Sequence, residues 1–231
     1  MRHAIYYTPL AGSHLHQLGS SWLGRDAVSG EALPHPRVVG IREATAEAAR
    51  YGFHATLKPP FSLKPECNRI DLGDAVALLA AKMEAIVIPS LVVSQVDGFL
   101  ALVPGSACSA LSRLASQCVR ELDRFRAPPS EAELAYRRKV PLSARQEEHL
   151  QLWGYPYVLD EFRFHMTLTT RLSGEQRRSM TAAASAHFAP VLNRPCIVDA
   201  LSVCAESGMD REFVVEERFP LLAAAKIAAA S

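Results

Sequence analysis

Phe53-His54-Ala55-Thr56-Leu57 returns 111 positions later as Phe164-His165-Met166-Thr167-Leu168. A pair of His-x-Thr triplets is uncommon by chance in a chain with eight histidines, and the shared Phe before and Leu after make the duplication a real one. The residues downstream of each copy repeat their pattern too. After His54 come Pro59 and Pro60, an Ala/Leu-rich helical stretch over residues 71–85, and β-rich runs over 91–96 and 99–103 that meet at Asp97-Gly98. After His165 come Ser173-Gly174, a helical stretch over 175–188, and β-rich runs over 197–204 and 212–217 that meet near Ser207-Gly208. Asp-Gly between alternating apolar runs is the strongest short hairpin signal, and Ser-Gly a weaker one. Each half reads strand, helix, hairpin. The expectation is an α+β chain of two pseudo-symmetric βαββ-type lobes around a central cleft, as one domain over 1–231. Lobe one covers roughly 1–105, a helical crossover 106–155 and lobe two 156–220.

Strand periodicity carries the chemistry. Residues two apart share a face, so Gly52, His54, Thr56 and Lys58 stand together, opposed by Phe53, Ala55 and Leu57. In the second copy Arg163, His165, Thr167, Thr169 and Arg171 share a face, opposed by Phe162, Phe164, Met166 and Leu168. Both polar faces run imidazole, hydroxyl, cation. Imidazole, with a pKa of about 6.5, serves as base or acid near neutrality. Hydroxyls donate to non-bridging phosphate oxygens, and a cation balances the charge that builds on phosphorus. A single His-x-Thr strand is ordinarily an edge facing water, but water-facing strands have no reason to repeat the identity and order of their polar residues. Two imidazoles on opposite sides of one phosphate, one neutral and one protonated, need neither metal nor cofactor.

The rest of the chain fills in around these strands. Residues 4–8 are aromatic and β-branched up to Pro9 and read as a first strand. Helical patterns come next over 13–23, closed by Gly24, and over 41–50, with the Pro-containing 30–40 between them as loop. His14 and His16 stand two apart on a helix, so they face apart and do not chelate a metal. An amphipathic helix over 109–125 stops before Ala127-Pro128-Pro129. Helices over 130–138 and 143–153 each open on a Ser cap, Ser130 with Glu133 forming a capping box. The Pro- and Arg-rich 127–141 is the crossover between the lobes, and Arg137 and Arg138 beyond its prolines are candidates to close over an anionic substrate. Tyr6 or Tyr7 on the first strand, and Tyr155, are candidates to line the cleft, the other reading being a core or rim aromatic.

Composition sets the class. At 231 residues and 49% hydrophobic, the chain can bury a core as one domain or two intimate lobes. Its net charge of +1 gives no electrostatic footprint for a long nucleic-acid tract, while leaving room for a small phosphorylated substrate held by local cations. Five cysteines without a C-x-x-C pair read as reduced core residues, which points to the cytoplasm. No basic leader precedes an apolar run, and no apolar run approaches the ~18 residues of a membrane span. The Ala-rich 221–230 reads as a docked or frayed tail.

Set together, these strings resemble the paired His-x-Thr/Ser-x motifs of the 2H phosphoesterase superfamily, which includes 2′,3′-cyclic phosphodiesterases and LigT-like 2′-5′ RNA ligases. Three longer strings, YGFHATLKPPF at 51–61, WGYPY at 153–157 and EFRFHMTLT at 161–169, resemble more narrowly the DUF1045 branch of phosphonate-metabolism proteins. The resemblance runs from Arg2 to Glu217. It implies two βαββ-like lobes about a cleft, His54 and His165 as a catalytic pair, and Thr56 and Thr167 as phosphate ligands. It also asks for a cation soon after the second motif. Arg171 stands one position later than is usual but shares the face of His165, and Lys58 is the equivalent candidate in the first copy. The implied activity is a metal-independent phosphodiesterase that opens a small cyclic phosphate, such as phosphoribosyl 1,2-cyclic phosphate from phosphonate breakdown. A 2′,3′-cyclic nucleotide or RNA-end phosphodiesterase is the alternative enzyme, and a phosphometabolite-binding module is the alternative of another class.

Overall fold

The computed structural model describes residues 1–207 and 212–222. In chain order the elements are β1 (Arg2–Tyr7), α1 (His14–Leu23), α2 (Ile41–Ala49), β2 (Ala55–Ser62), α3 (Arg69–Ala80), β3 (Ile86–Ile88), β4 (Leu91–Val96), β5 (Phe99–Pro104) and α4 (Ser109–Leu122). They continue with α5 (Glu131–Arg137), α6 (Ala144–Trp153), β6 (Met166–Arg171), α7 (Gly174–Phe188), β7 (Cys196–Val198), β8 (Ala200–Ser207) and β9 (Glu212–Pro220). The chain is an α+β protein built on one antiparallel seven-stranded sheet in the order β4-β5-β6-β2-β1-β8-β9.

The hairpins form where local chemistry asks for them. Asp97 and Gly98 take φ values of 46° and 96°, the left-handed pair that a tight turn between twisted strands requires. β8 and β9 pair up to Ser207↔Glu212. The turn expected at Ser207-Gly208 falls on residues 208–211, outside the described residues, as does the tail after Leu222. Each repeat carries one short strand beyond those expected, β3 and β7, which pair with each other as a separate ribbon. Three residues are too few to show an alternating pattern, and the first repeat's helix ends at Ala80 so that the chain can turn into β3.

The hairpins are exchanged. β4–β5, from the first repeat, docks on β6 of the second, and β8–β9 docks on β1 beside β2. The two His strands therefore meet in the middle of the sheet, at the single pair Ala55↔Met166. Alternation along β1 sorts the two faces: Ile5 and Tyr7 join the main core, whereas Ala4 and Tyr6 join a small cluster with Cys204 and Phe213 on the other face. α4 packs against β2, α3 against β8 and β9, and α2 against β6. Trp22 of α1, fully buried, donates its indole N–H to the Leu168 carbonyl at 2.9 Å and ties α1 to β6. None of the five cysteines is in a disulfide. Among the described residues no helix is long and apolar enough to cross a membrane.

Candidate active site

Antiparallel pairing at Ala55↔Met166 makes a local dyad. Carrying that register one residue to either side sets His54 across from Thr167, and Thr56 across from His165. In such a ladder diagonal neighbours lie ~7–8 Å apart at the backbone, which is about the span of a phosphate and its in-line ligands. Ala55, Met166, Leu57 and Leu168 turn into the core. The two imidazoles and two threonines line one cavity of about 570 Å³, together with Tyr6, Tyr51, Arg137, Tyr155 and Arg171.

Both imidazoles are held in the same way. His54 donates Nδ1–H to the Gly52 carbonyl at 2.9 Å, and His165 donates Nδ1–H to the Arg163 carbonyl at 2.7 Å. A carbonyl can only accept, so each Nδ1 carries the proton and each Nε2 keeps a lone pair when the ring is neutral. His54 Nε2 accepts from the Thr56 hydroxyl at 3.0 Å. Gly52 makes the first of these locks possible: its φ is +73°, and a Cβ there would lie 2.3 Å from the Ala27 Cβ. Tyr6 stacks on the His54 ring with centroids 3.7 Å apart, and Phe99 lies at a tilt to His165 at 5.6 Å.

The two rings differ in basicity. Burial pushes His54 down to about 4, against the pull of the Gly52 carbonyl, and charge on His165 lowers it further. Burial also lowers His165, and the Arg163 carbonyl and the Asp97 carboxylate offset only part of that shift. Of the two rings, His54 is held further from its charged form.

Other expected residues divide. Arg171 lines the cavity, as do Tyr6 and Tyr155, and the Arg137 guanidinium lies 4.6 Å from the Tyr155 ring centroid. Lys58 is a correction. The register between β1 and β2 slips between Ile5 and Tyr6, so Thr56 stands opposite Tyr6 while Lys58, two residues on, stands opposite Ile5. That bulge breaks the alternation and turns Lys58 to the core face, where it is 2% exposed and donates to Asp123 at 3.1 Å and to the Val119 carbonyl at 3.3 Å. Of the two first-strand tyrosines, Tyr6 reaches the cavity and Tyr7 is the core aromatic. It is opposite Ala55 on the core side, and its hydroxyl donates to the Ile197 carbonyl at 3.1 Å. Arg138 turns outward and pairs with Glu147. Thr169 reaches the cavity wall, but its hydroxyl is engaged with the Leu100 N–H and the Thr170 carbonyl.

Tyr51, Phe99 and the rim carboxylate Glu47 line the cavity although sequence reasoning had not singled them out. Tyr51 lies inside the 51–61 string, so the signal was at hand. Phe99 and Glu47 arrive from elements whose neighbours no local pattern reveals. A second cavity of about 620 Å³ adjoins the first, sharing Thr56, Pro59, Phe99, Tyr155, His165 and Arg171 with it. Its wall is mixed: Val96, Val119, Val140, Val158 and Phe162 stand beside Asp97, Gln146, Glu161 and Arg163.

The chain joins two His-x-Thr strands at the centre of an antiparallel sheet and brings both imidazoles to one cavity. Its family profile, described as "Protein of unknown function (DUF1045)", matches residues 56–214, and the chain belongs to that family. Among curated proteins it is similar to the ribose 1,5-bisphosphate phosphokinase PhnN of Janthinobacterium sp. (strain Marseille), with 40% identity over 228 residues, 95% of this chain and 50% of that protein. It is also similar to the protein of the same name from Laribacter hongkongensis (strain HLHK9), with 38% identity over 210 residues, 90% of this chain and 49% of that one. The chain spans about half the length of these curated relatives. Among solved structures it is similar to E. coli LigT complexed with 3′-AMP, at 13% identity and a TM-score of 0.46 over 96% of this chain and 97% of that one. A structure described as a phosphoesterase gives 12% identity and a TM-score of 0.44, over 95% and 97%.

Proposed function

We propose that the protein is a metal-independent phosphodiesterase that opens a small cyclic phosphate, with a sugar 1,2-cyclic phosphate from phosphonate breakdown as its substrate. The observation that carries this is the matched pair of Nδ1–H···carbonyl locks, which leaves two Nε2 atoms of unequal basicity on one cavity. His54, neutral, takes a proton from water at Nε2 as the water oxygen attacks phosphorus. His165, as imidazolium, gives its Nε2 proton to the departing sugar oxygen opposite. The P–O bond to that oxygen breaks, and one water has been added across it. Thr56, leaving His54 Nε2 as the attacking water takes its place there, donates with Thr167 to the non-bridging oxygens, while Arg171 balances their charge.

The curated relatives support the choice of sugar. Opening 5-phosphoribosyl 1,2-cyclic phosphate with O2 as the leaving oxygen yields ribose 1,5-bisphosphate, the compound in the relatives' name. This chain has no Gly-x-x-x-x-Gly-Lys-Ser/Thr loop of the kind that cradles nucleotide phosphates. On this reading the matched half makes the compound that a kinase half would consume. The second cavity, whose lining includes the rings of Tyr155, Tyr157 and Phe162, favours a different reading, a nucleoside 2′,3′-cyclic phosphate with its base in that chamber.

Phosphorus NMR of a panel containing ribose, phosphoribosyl and nucleoside cyclic phosphates decides between them. His54→Ala and His165→Ala are each expected to lower kcat by ~10²- to 10⁴-fold. The double variant should fall by less than the product, since the two act as one unit. If neither change lowers turnover while circular dichroism shows a folded protein, the paired mechanism is lost. A protein that turns over nothing on the panel yet binds a sugar phosphate is a binding module.

A further inference from the structure

We propose that α5 is a lid that carries Arg137 onto a second phosphate of the substrate, so that the enzyme selects a cyclic phosphate that also bears a phosphomonoester. This rests on the phosphodiesterase reading. α5 buries none of its side chains. Among the described residues, the ion pairs and ring contacts that tie it to other elements are the exposed pair Arg138–Glu147 at 2.6 Å and the half-buried stacking of Arg137 over Tyr155. One exposed ion pair and one cation–π contact are modest ties, so the helix is cheap to lift. Pro128-Pro129 before it and Pro141 after it stiffen the flanks and confine the movement to a swing.

Charge balance gives the ligand. Arg137 and Arg171 both line the chamber of the two histidines, and neither pairs with a carboxylate among the described residues. The carboxylate lining that chamber is Glu47, which is exposed at its rim. A cyclic phosphodiester carries one negative charge, which Arg171 and the imidazolium form of His165 together already exceed. Arg137 is surplus to that anion. A phosphomonoester brings about −1.5 to −2 charges near neutral pH and three acceptor oxygens, which suits a planar guanidinium that leaves a tyrosine ring to reach it.

The test compares ribose 1,2-cyclic phosphate with its 5-phosphorylated form on wild type, Arg137→Leu and Arg138→Leu. Wild type should favour the phosphorylated substrate in kcat/KM, and Arg137→Leu should shrink that ratio by about 10- to 100-fold, chiefly through KM. Arg138→Leu should leave the ratio where it was. An unchanged ratio in Arg137→Leu overturns the assignment. Hydrogen exchange over 131–137 should slow when ribose 5-phosphate is added, and unaltered exchange removes the lid. Calorimetry with ribose 5-phosphate keeps the two readings apart. If no cyclic phosphate turns over but ribose 5-phosphate binds and Arg137→Leu weakens it, the subsite stands and the phosphodiesterase reading falls.

Discussion

Gly52 decides where His54 can point. Its carbonyl orients the ring only because the backbone passes through a left-handed conformation against Ala27, a route closed to a residue with a Cβ. Gly52→Ala should cost ~1–3 kcal/mol of stability in urea unfolding and lower kcat more than it raises KM. Adding Ala27→Gly removes the contact but not the strained φ, so the double variant should recover only part of the loss. The depressed pKa of His54 also leaves a mark on stability. Between about 4 and 6.5 the unfolded chain binds a proton that the folded one refuses, so stability rises with pH across that window and is lost as pH falls through it. Urea midpoints at pH 7 and pH 5 should differ by less in His54→Gln than in wild type, and an equal difference would mean that the ring is not held neutral. At this scale the sequence was most readable where it repeated itself. His54, Thr56, His165 and Thr167 stood out by duplicated identity and order, whereas the carbonyls that fix the two tautomers are backbone atoms and leave no residue signature.

Within β2, the element decides against simple alternation. Two register slips, one between His3 and Ile5 and one between Ile5 and Tyr6, bracket Lys58 and turn it away from the cleft. The sequence did contain the warning: Pro59 and Pro60 cannot donate to a ladder, and prolines in a central strand mark a bulge. Counting residues by twos carried His54 and Thr56 correctly to one face and then failed at the first slip. Buried with its charge, Lys58 depends on Asp123; burial lowers its pKa and the carboxylate raises it. Asp123→Ala should therefore destabilise by ~3–5 kcal/mol, because it strands a buried ammonium, while Lys58→Met should be far milder. Turnover by Lys58→Met should stay within several-fold of wild type. A loss on the scale of the histidine variants would return Lys58 to the site.

For the whole molecule, the repeat announced two related halves and the strand, helix and hairpin of each, but not that the hairpins would change places. Either pairing satisfies the same alternation of apolar and polar residues, so only the assembled sheet distinguishes them. In the mechanism proposed above, the cleft that results supplies both proton transfers and the balancing charge from side chains. Turnover is accordingly expected to survive exhaustive treatment with EDTA, and loss of activity restored by a divalent ion would contradict the proposed mechanism.

The exchange of hairpins also has a bearing on synthesis. β1 leaves the ribosome long before one of its two partners, β8, which it meets at His3↔Ala205 and its neighbours. At a synthesis rate of ~5–20 residues per second, that edge waits roughly 10–40 s for the strand that covers it. A nascent chain with an open apolar edge for so long is a natural client for a ribosome-associated chaperone, and chains stalled before β8 are the ones that would aggregate.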